Sequence, residues 1–156
     1  QRRKIDREYE TIVNGIMTAG GTIEQPIGRH PRYRTRMAVV KNGRAATTHY
    51  RIIKKYRHHT HLQVNLESGR THQIRVHLTW YHYPIIGDPV YGTMRQLMKG
   101  MDPNLASVIT AFPRQALHAR TIKLVHPQSN ELMEWKAPIP EDMVALINAL
   151  EADRKQ

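Results

Sequence analysis

Alternation of apolar and polar side chains is the strongest order in this chain. Leu62, Val64 and Leu66 alternate with His61, Gln63 and Asn65, the period of a half-buried strand. Ser68-Gly69 breaks that strand, and Thr71 is the expected N-cap of a helix reaching about His82. On that helix Ile74, Leu78 and Tyr81 fall at i, i+4 and i+7 and are expected to face a core. His72, Arg75, Thr79 and His82 share a second, polar face. Pro84 stops the helix, and residues 85–89 form a turn packed by its own isoleucines.

The flanking segments carry weaker versions of the same signals. Residues 1–7 read as the frayed end of a helix, and residues 9–14 as a strand with Tyr9, Thr11 and Val13 on one face. Residues 22–27 form a short extended piece closed by Pro26. Residues 37–40 and 45–56 read as a hairpin around Asn42-Gly43, the strongest short hairpin signal. Residues 93–113 are expected to hold one or two short helices. Ile122 and Leu124 alternate into a strand ending at His126-Pro127; after the turn at residues 128–130, Met133, Trp135 and Ala137 continue as its antiparallel partner. Pro140 at the first helical position, with Glu141 and Asp142 behind it, starts a final helix with Met143, Leu146, Ile147 and Leu150 as its apolar stripe. Trp80, Trp135, Leu117 and the methionines are expected to pack in or beside the core. Strands linked by hairpins predict an α+β domain with a mostly antiparallel mixed sheet and flanking short helices, all within one domain of 156 residues.

Charge changes this picture from a scaffold to a candidate binding protein. The chain has 24 Lys+Arg against 13 Asp+Glu, a net charge of +11. Such an excess favours a polyanionic partner, nucleic acid ahead of a membrane surface. No apolar run approaches the roughly 18 residues that a membrane span needs. Without cysteine there is no disulfide framework, which fits a cytoplasmic protein. The densest basic run holds Arg29, Arg32, Arg34 and Arg36 with no acid among them, beside His30 and Tyr33. Arginines next to aromatic rings suit phosphate contacts combined with base stacking. Arg70, His72 and Gln73 flank the helix start, where backbone N–H groups favour a phosphate. Ten histidines, His58, His59 and His61 among them, raise a metal site, but they come without cysteine, without HExxH and without a nearby acid. No metal is expected.

Several ordered blocks carry a more specific signal: REYETIVNG, PIGRHPRYRTRMAV, ATTHYRII, GRTHQIRVHL followed by HYPIIGDPVYG, RQALHA and EWKAPIPEDM. Together they resemble the RluA/RluD family of ribosomal RNA pseudouridine synthases, over nearly the whole chain and in the family's order. The resemblance implies the catalytic-domain fold of that family, no cofactor, and large-subunit ribosomal RNA or a pre-ribosomal particle as partner. It implies that Arg75 pairs with a catalytic aspartate, a task suited to a guanidinium because it stays charged and binds carboxylate with two donors. It makes Tyr9 the active-site tyrosine, stacking on a flipped uracil or aiding proton transfer at its carbon 5. Ile74 and Leu78 are assigned to packing against the base.

The family's aspartate lies in a His-Arg-Leu-Asp segment. The aspartates here, at positions 6, 88, 102, 142 and 153, lie in no such segment. The expectation is therefore the C-terminal portion of a catalytic domain, with that segment and any preceding small RNA-binding domain upstream of Gln1. A basic, non-catalytic RNA-binding module or ribosome-assembly factor is the alternative that charge alone supports equally. A metal-dependent nuclease ranks below both, since the histidines lack clustered acids.

Overall fold

The computed structural model describes residues 5–92 and 97–155. Its element order is β1 (Ile5–Asn14), β2 (Gly21–Glu24), β3 (Ile27–Arg29), β4 (Met37–Val39), β5 (Thr47–Lys55), β6 (His59–Leu66), α1 (Gln73–Trp80), α2 (Pro103–Ala111), β7 (Leu117–Val125), β8 (Leu132–Lys136) and α3 (Glu141–Arg154). Six strands form one sheet in the order β2-β5-β6-β1-β7-β8, and β3 with β4 forms a separate two-stranded unit. Every pairing among the described strands is antiparallel. The α+β class with a mostly antiparallel sheet is the one the alternation predicts.

Cross-strand apolar rows fix the register. Tyr9, Val64 and Tyr50 lie opposite one another, as do Leu62 and Ile52. Slipping β6 by one residue would turn Leu62 and Val64, both fully buried, away from the core. The main core joins these rows to Ile74 and Leu78 of α1, Ile85 and Ile86 of the following turn, Leu105 of α2, and Met143, Leu146 and Leu150 of α3. A smaller cluster of Ile27, Ala46 and Val76 packs on the far side of α1. Helix α1 is thus apolar on two sides, held between the large sheet and the β3–β4 unit.

Five local expectations are corrected. Residues 5–7 belong to β1, not to a helix end, because they pair with Leu124, Lys123 and Ile122 of β7; residues 1–4 lie outside the described residues. The strands on either side of Asn42-Gly43 do not form a hairpin with each other. The Gly43 N–H closes a turn on the Val40 carbonyl, and Arg44 then exchanges hydrogen bonds with Ile27. This wraps the chain round β3 and leaves β5 to β2 and β6. Gly43 is required by close approach, since a Cβ there would lie 2.6 Å from the Ile27 carbonyl carbon. Helix α1 begins two residues later than Thr71, behind His72 in the left-handed region (φ 57°), and ends two residues before His82. His82 at φ 76° closes a Schellman motif, with the Tyr83 N–H donating to Leu78 and the His82 N–H to Thr79. Pro140 precedes the first helical residue of α3, so the helix starts one position later than expected. Finally, Trp80 (45% exposed), Trp135 (50%), Tyr81 (43%) and Met98 (51%) are surface residues. Of the expected helical region at residues 93–113, α2 is present, capped by the Asp102 carboxylate on the Asn104 and Leu105 N–H groups; residues 93–96 lie outside the described residues.

Ion pairs tie α3 to the end of β5 and the turn after it: Lys54 to Glu151 at 2.6 Å and Arg57 to the buried Asp153 at 3.2 Å. Under this contact lies His59, 1% exposed, its Nε2 without a hydrogen-bond partner among the described residues. Burial, reinforced by His58, pushes its pKa from 6.5 down to about 4. A histidine depressed on folding holds the native state neutral, so its contribution is complete above the unfolded value and is lost as pH falls below it. Stability is predicted to fall from pH 6.5 to about 4, by about 3 kcal/mol for this ring alone at ~1.4 kcal/mol per pH unit. Urea unfolding across that window measures the slope, and His59→Leu should flatten it; an unchanged slope would remove His59 as the cause.

Candidate functional site

An open cleft of about 360 Å³ lies where β1, β6 and the N-terminus of α1 meet. Arg7 and Tyr9 reach it from β1, Leu66 from the end of β6, and Gln115 and Leu117 from the entry to β7. Gly69, Arg70, His72, Gln73, Ile74 and Arg75 complete it from the turn and first helical residues. Arg7 and Tyr9 share a face because strand residues two apart point the same way. The α1 entrance faces the cleft, adding N-terminal N–H groups and the positive end of the helix dipole to three arginines and a histidine.

Arg75 is the most constrained of these residues. Its Nε and Nη2 donate to the two oxygens of Asp88, each at 2.9 Å. The Asp88 side chain is fully buried and that of Arg75 only 11% exposed. Burial alone would raise the Asp88 pKa; hydrogen bonds from Arg75 and from the Tyr91 and Val90 N–H groups outweigh it and hold the carboxyl below its usual value. The same hydrogen bond raises the Arg75 pKa further. Gly87 permits the sharp approach to Asp88: its φ is +79°, and a Cβ there would sit 2.2 Å from the Arg114 carbonyl oxygen. The Tyr91 ring lies 5.0 Å from the Arg75 guanidinium carbon. Arg75 is therefore not on a solvated polar stripe, and the aspartate it pairs with in this structure is Asp88.

Gln73 was expected to contact RNA, but its side chain is committed elsewhere. It is 2% exposed. Its Nε2 donates to the Thr47 carbonyl and the Thr48 hydroxyl, each at 2.9 Å, and its Oε1 accepts from the Ser68 hydroxyl and the Arg70 N–H, each at 3.0 Å. With both donors and both lone pairs engaged, the amide clasps the turn that forms the cleft wall. The relay continues inward: Thr48 Oγ1 lies 2.7 Å from His77 Nδ1, and His77 Nε2 2.9 Å from the Gln25 carbonyl. A carbonyl only accepts, so Nε2 carries the proton and Nδ1 accepts from Thr48. Burial lowers the His77 pKa and keeps the ring in this neutral form.

The other expected site residues divide into three groups. Tyr9, Arg70, His72, Ile74 and Arg75 converge on the cleft. Leu78 does not; it is fully buried in the main core. Arg29, His30, Arg32, Arg34 and Arg36 form a separate arm between β3 and β4. His30 organises it by accepting the Arg32 and Tyr33 N–H groups on Nδ1, and Arg29 donates to the Arg34 carbonyl. Arg36 stacks 4.9 Å over the exposed Tyr33 ring. Sequence reasoning missed Arg7 and Gln115 in the cleft, and Asp88 and Tyr91 behind it. Arg7 was legible through its spacing of two from Tyr9; the others meet α1 only in three dimensions. No cluster able to hold a metal occurs among the described residues.

With this geometry in place, comparison with known proteins is decisive. The family model for RNA pseudouridylate synthase matches residues 1–80. This chain belongs to the RNA pseudouridylate synthase family. It is 54% identical over 153 residues to ribosomal large subunit pseudouridine synthase D of Escherichia coli (strain K12), covering 98% of this chain and 47% of that protein. The protein of the same description from Pseudomonas aeruginosa is 48% identical over 155 residues, covering 99% and 48%. The chain thus spans about half the length of the curated relatives it matches. Two solved structures share the fold. Human RNA Pseudouridylate Synthase Domain Containing 4 superimposes with a TM-score of 0.71 at 21% identity, over 94% of this chain and 62% of that one. Human RNA Pseudouridylate Synthase Domain Containing 1 does so with a TM-score of 0.68 at 20% identity, over 95% and 66%.

Asp88→Asn tests whether the pair orients the site. The amide keeps the shape but leaves the Arg75 charge nearly buried beside a neutral group, so a loss of about 3 kcal/mol is predicted in urea unfolding. A loss below about 1 kcal/mol, the range of exposed pairs, would show that Asp88 does not hold the arginine.

Proposed function

We propose that this chain forms the RNA-gripping and base-binding part of an enzyme that isomerises uridine to pseudouridine in large-subunit ribosomal RNA, in the cytoplasm. The observation that carries the proposal is the cleft itself, which brings Tyr9 and the fixed Arg75 together under a rim of Arg7, Arg70 and His72. A uridine extruded from its strand needs a pocket with a flat aromatic wall and cations for the flanking phosphates. Tyr9 and Ile74 supply the wall. Arg7, Arg70 and the α1 entrance supply positive charge.

The reaction breaks the bond between uracil N1 and ribose C1′, turns the base, and joins C5 to C1′. The proton on C5 is lost and one is gained at N1, so substrate and product have the same atoms and no co-substrate is called for. A carboxylate is expected to act at the ribose carbon, and among the described residues the cleft lining contains none. Asp6 is an exposed residue of β1 outside the cleft lining, Asp88 is spent on Arg75, Asp102 caps α2, and Asp142 and Asp153 pair with Arg114 and Arg57. Glu67 borders an adjoining hollow but bonds to His49. The proposal therefore takes the catalytic aspartate from a segment outside these 156 residues, with Tyr9 and Arg75 completing its site. A purely RNA-binding role uses the same basic surface but leaves a base-sized cleft beside a fixed arginine without a task.

The purified chain is predicted to bind uridine-containing RNA and to form no pseudouridine by itself. Binding is followed by fluorescence anisotropy at several salt concentrations. Replacing Arg32, Arg34 and Arg36 with alanine should lower the log–log salt slope by about 2, at ~0.7 per single-strand phosphate contact. An unchanged slope would remove the arm from the interface. Pseudouridine formed by the chain alone would place the carboxylate within it.

A further inference from the structure

We infer that Tyr91 is a positioning residue that bolts the arginine-rich arm to the cleft, so that both grip one RNA strand as a single surface. The inference rests on the RNA reading above and adds the part that couples its two halves.

Three segments converge on this side chain. Its hydroxyl accepts the backbone N–H of Met37, at 2.9 Å and 54 positions away in the chain. Met37 opens β4 and directly follows the arginine-rich run. The same hydroxyl lies 2.7 Å from Nδ1 of His72, the residue that precedes α1 and lines the cleft. With the Met37 N–H directed at one oxygen lone pair, the hydroxyl proton is free to point at His72. The ring meets the His72 imidazole edge-on at 5.5 Å and lies 5.0 Å from the Arg75 guanidinium carbon. Asp88 fixes the backbone beneath by accepting the Tyr91 N–H at 3.0 Å.

Other attachments of the arm hold the body of the β3–β4 unit. The β3–β4 ladder pairs only three residues on each strand, and short two-stranded units are marginal by themselves. Beyond that, Val40 donates to the Pro26 carbonyl, Ile27 and Arg44 exchange hydrogen bonds, and Met37 and Val39 pack against the cluster of Ile27, Ala46 and Val76. The Tyr91 hydroxyl adds the link that joins Met37, directly behind the arginine-rich run, to the cleft residue His72. The chemistry requires a phenol there: phenylalanine would keep the ring beside Arg75 but release both Met37 and His72.

Tyr91→Phe separates the two tasks. Hydrogen exchange at the Met37 amide is measured in the free protein, and RNA affinity is measured with and without Arg32, Arg34 and Arg36. Exchange at Met37 is expected to rise about tenfold while amides of β6 stay protected. Affinity should fall about fivefold with the arm intact, and show no further fall once the three arginines are replaced. A global loss of stability would instead move all amides and act equally in both backgrounds. Unchanged Met37 exchange, or the same affinity loss in both backgrounds, would overturn the coupling. Should the parent chain bind no RNA, the functional reading fails, and exchange at Met37 alone decides whether the bolt exists.

Discussion

The buried pair of Arg75 and Asp88 is the constraint on which the site depends. A guanidinium this enclosed is stable only with a partner that satisfies its fork. Asp88 does so with both oxygens, and two backbone N–H groups balance the carboxylate. Four consequences follow from one carboxylate. The arginine is fixed in rotamer, the turn at residues 87–91 is folded, the Tyr91 ring is set beside the guanidinium, and the α1 entrance is held open to the cleft. Such pairs contribute little net stability compared with an apolar core. Their value is specificity of geometry, since the guanidinium is held in one place at the cleft.

A second buried network holds the opposite wall. Gln73 grips the turn at residues 68–70, Thr48 links it to His77, and His77 reaches the Gln25 carbonyl next to β3. Every member has its donors and acceptors matched, so the network rigidifies instead of weakening the core. Helix α1 is gripped on two sides, by an ion pair towards the 87–91 turn and by neutral hydrogen bonds towards β5. Its eight residues would be marginal as an isolated helix. Their order comes from tertiary contacts.

What was legible in the sequence followed the reach of local patterns. Alternation in β6, β7 and β8 and the stripe of α3 are local signals, and those elements lie within a few residues of expectation. Asn42-Gly43 misled because the glycine is needed for close approach to Ile27, not for a hairpin between its own flanks. Helix α1 misled for a related reason: a helix covered on both sides has no single polar stripe, so Arg75 looked exposed by spacing yet is buried. The cleft residues around GRTHQIR were legible through resemblance to a family. The partnership of Arg75 with Asp88 was not, because a turn thirteen positions away has no periodic relation to the helix it completes. Gln73 shows the limit of reading polarity as function: its amide serves the fold.

On the proposed function, RNA enters the cleft between Tyr9 and the fixed Arg75. The most direct measurement is photo-crosslinking of the chain to RNA carrying a single 4-thiouridine, with the attached peptides mapped by mass spectrometry. Crosslinks are expected on peptides containing Tyr9 or residues 69–75, competed away by unmodified RNA. Crosslinks confined to α3 or to the exposed face of β8, with the cleft peptides unlabelled, would contradict it.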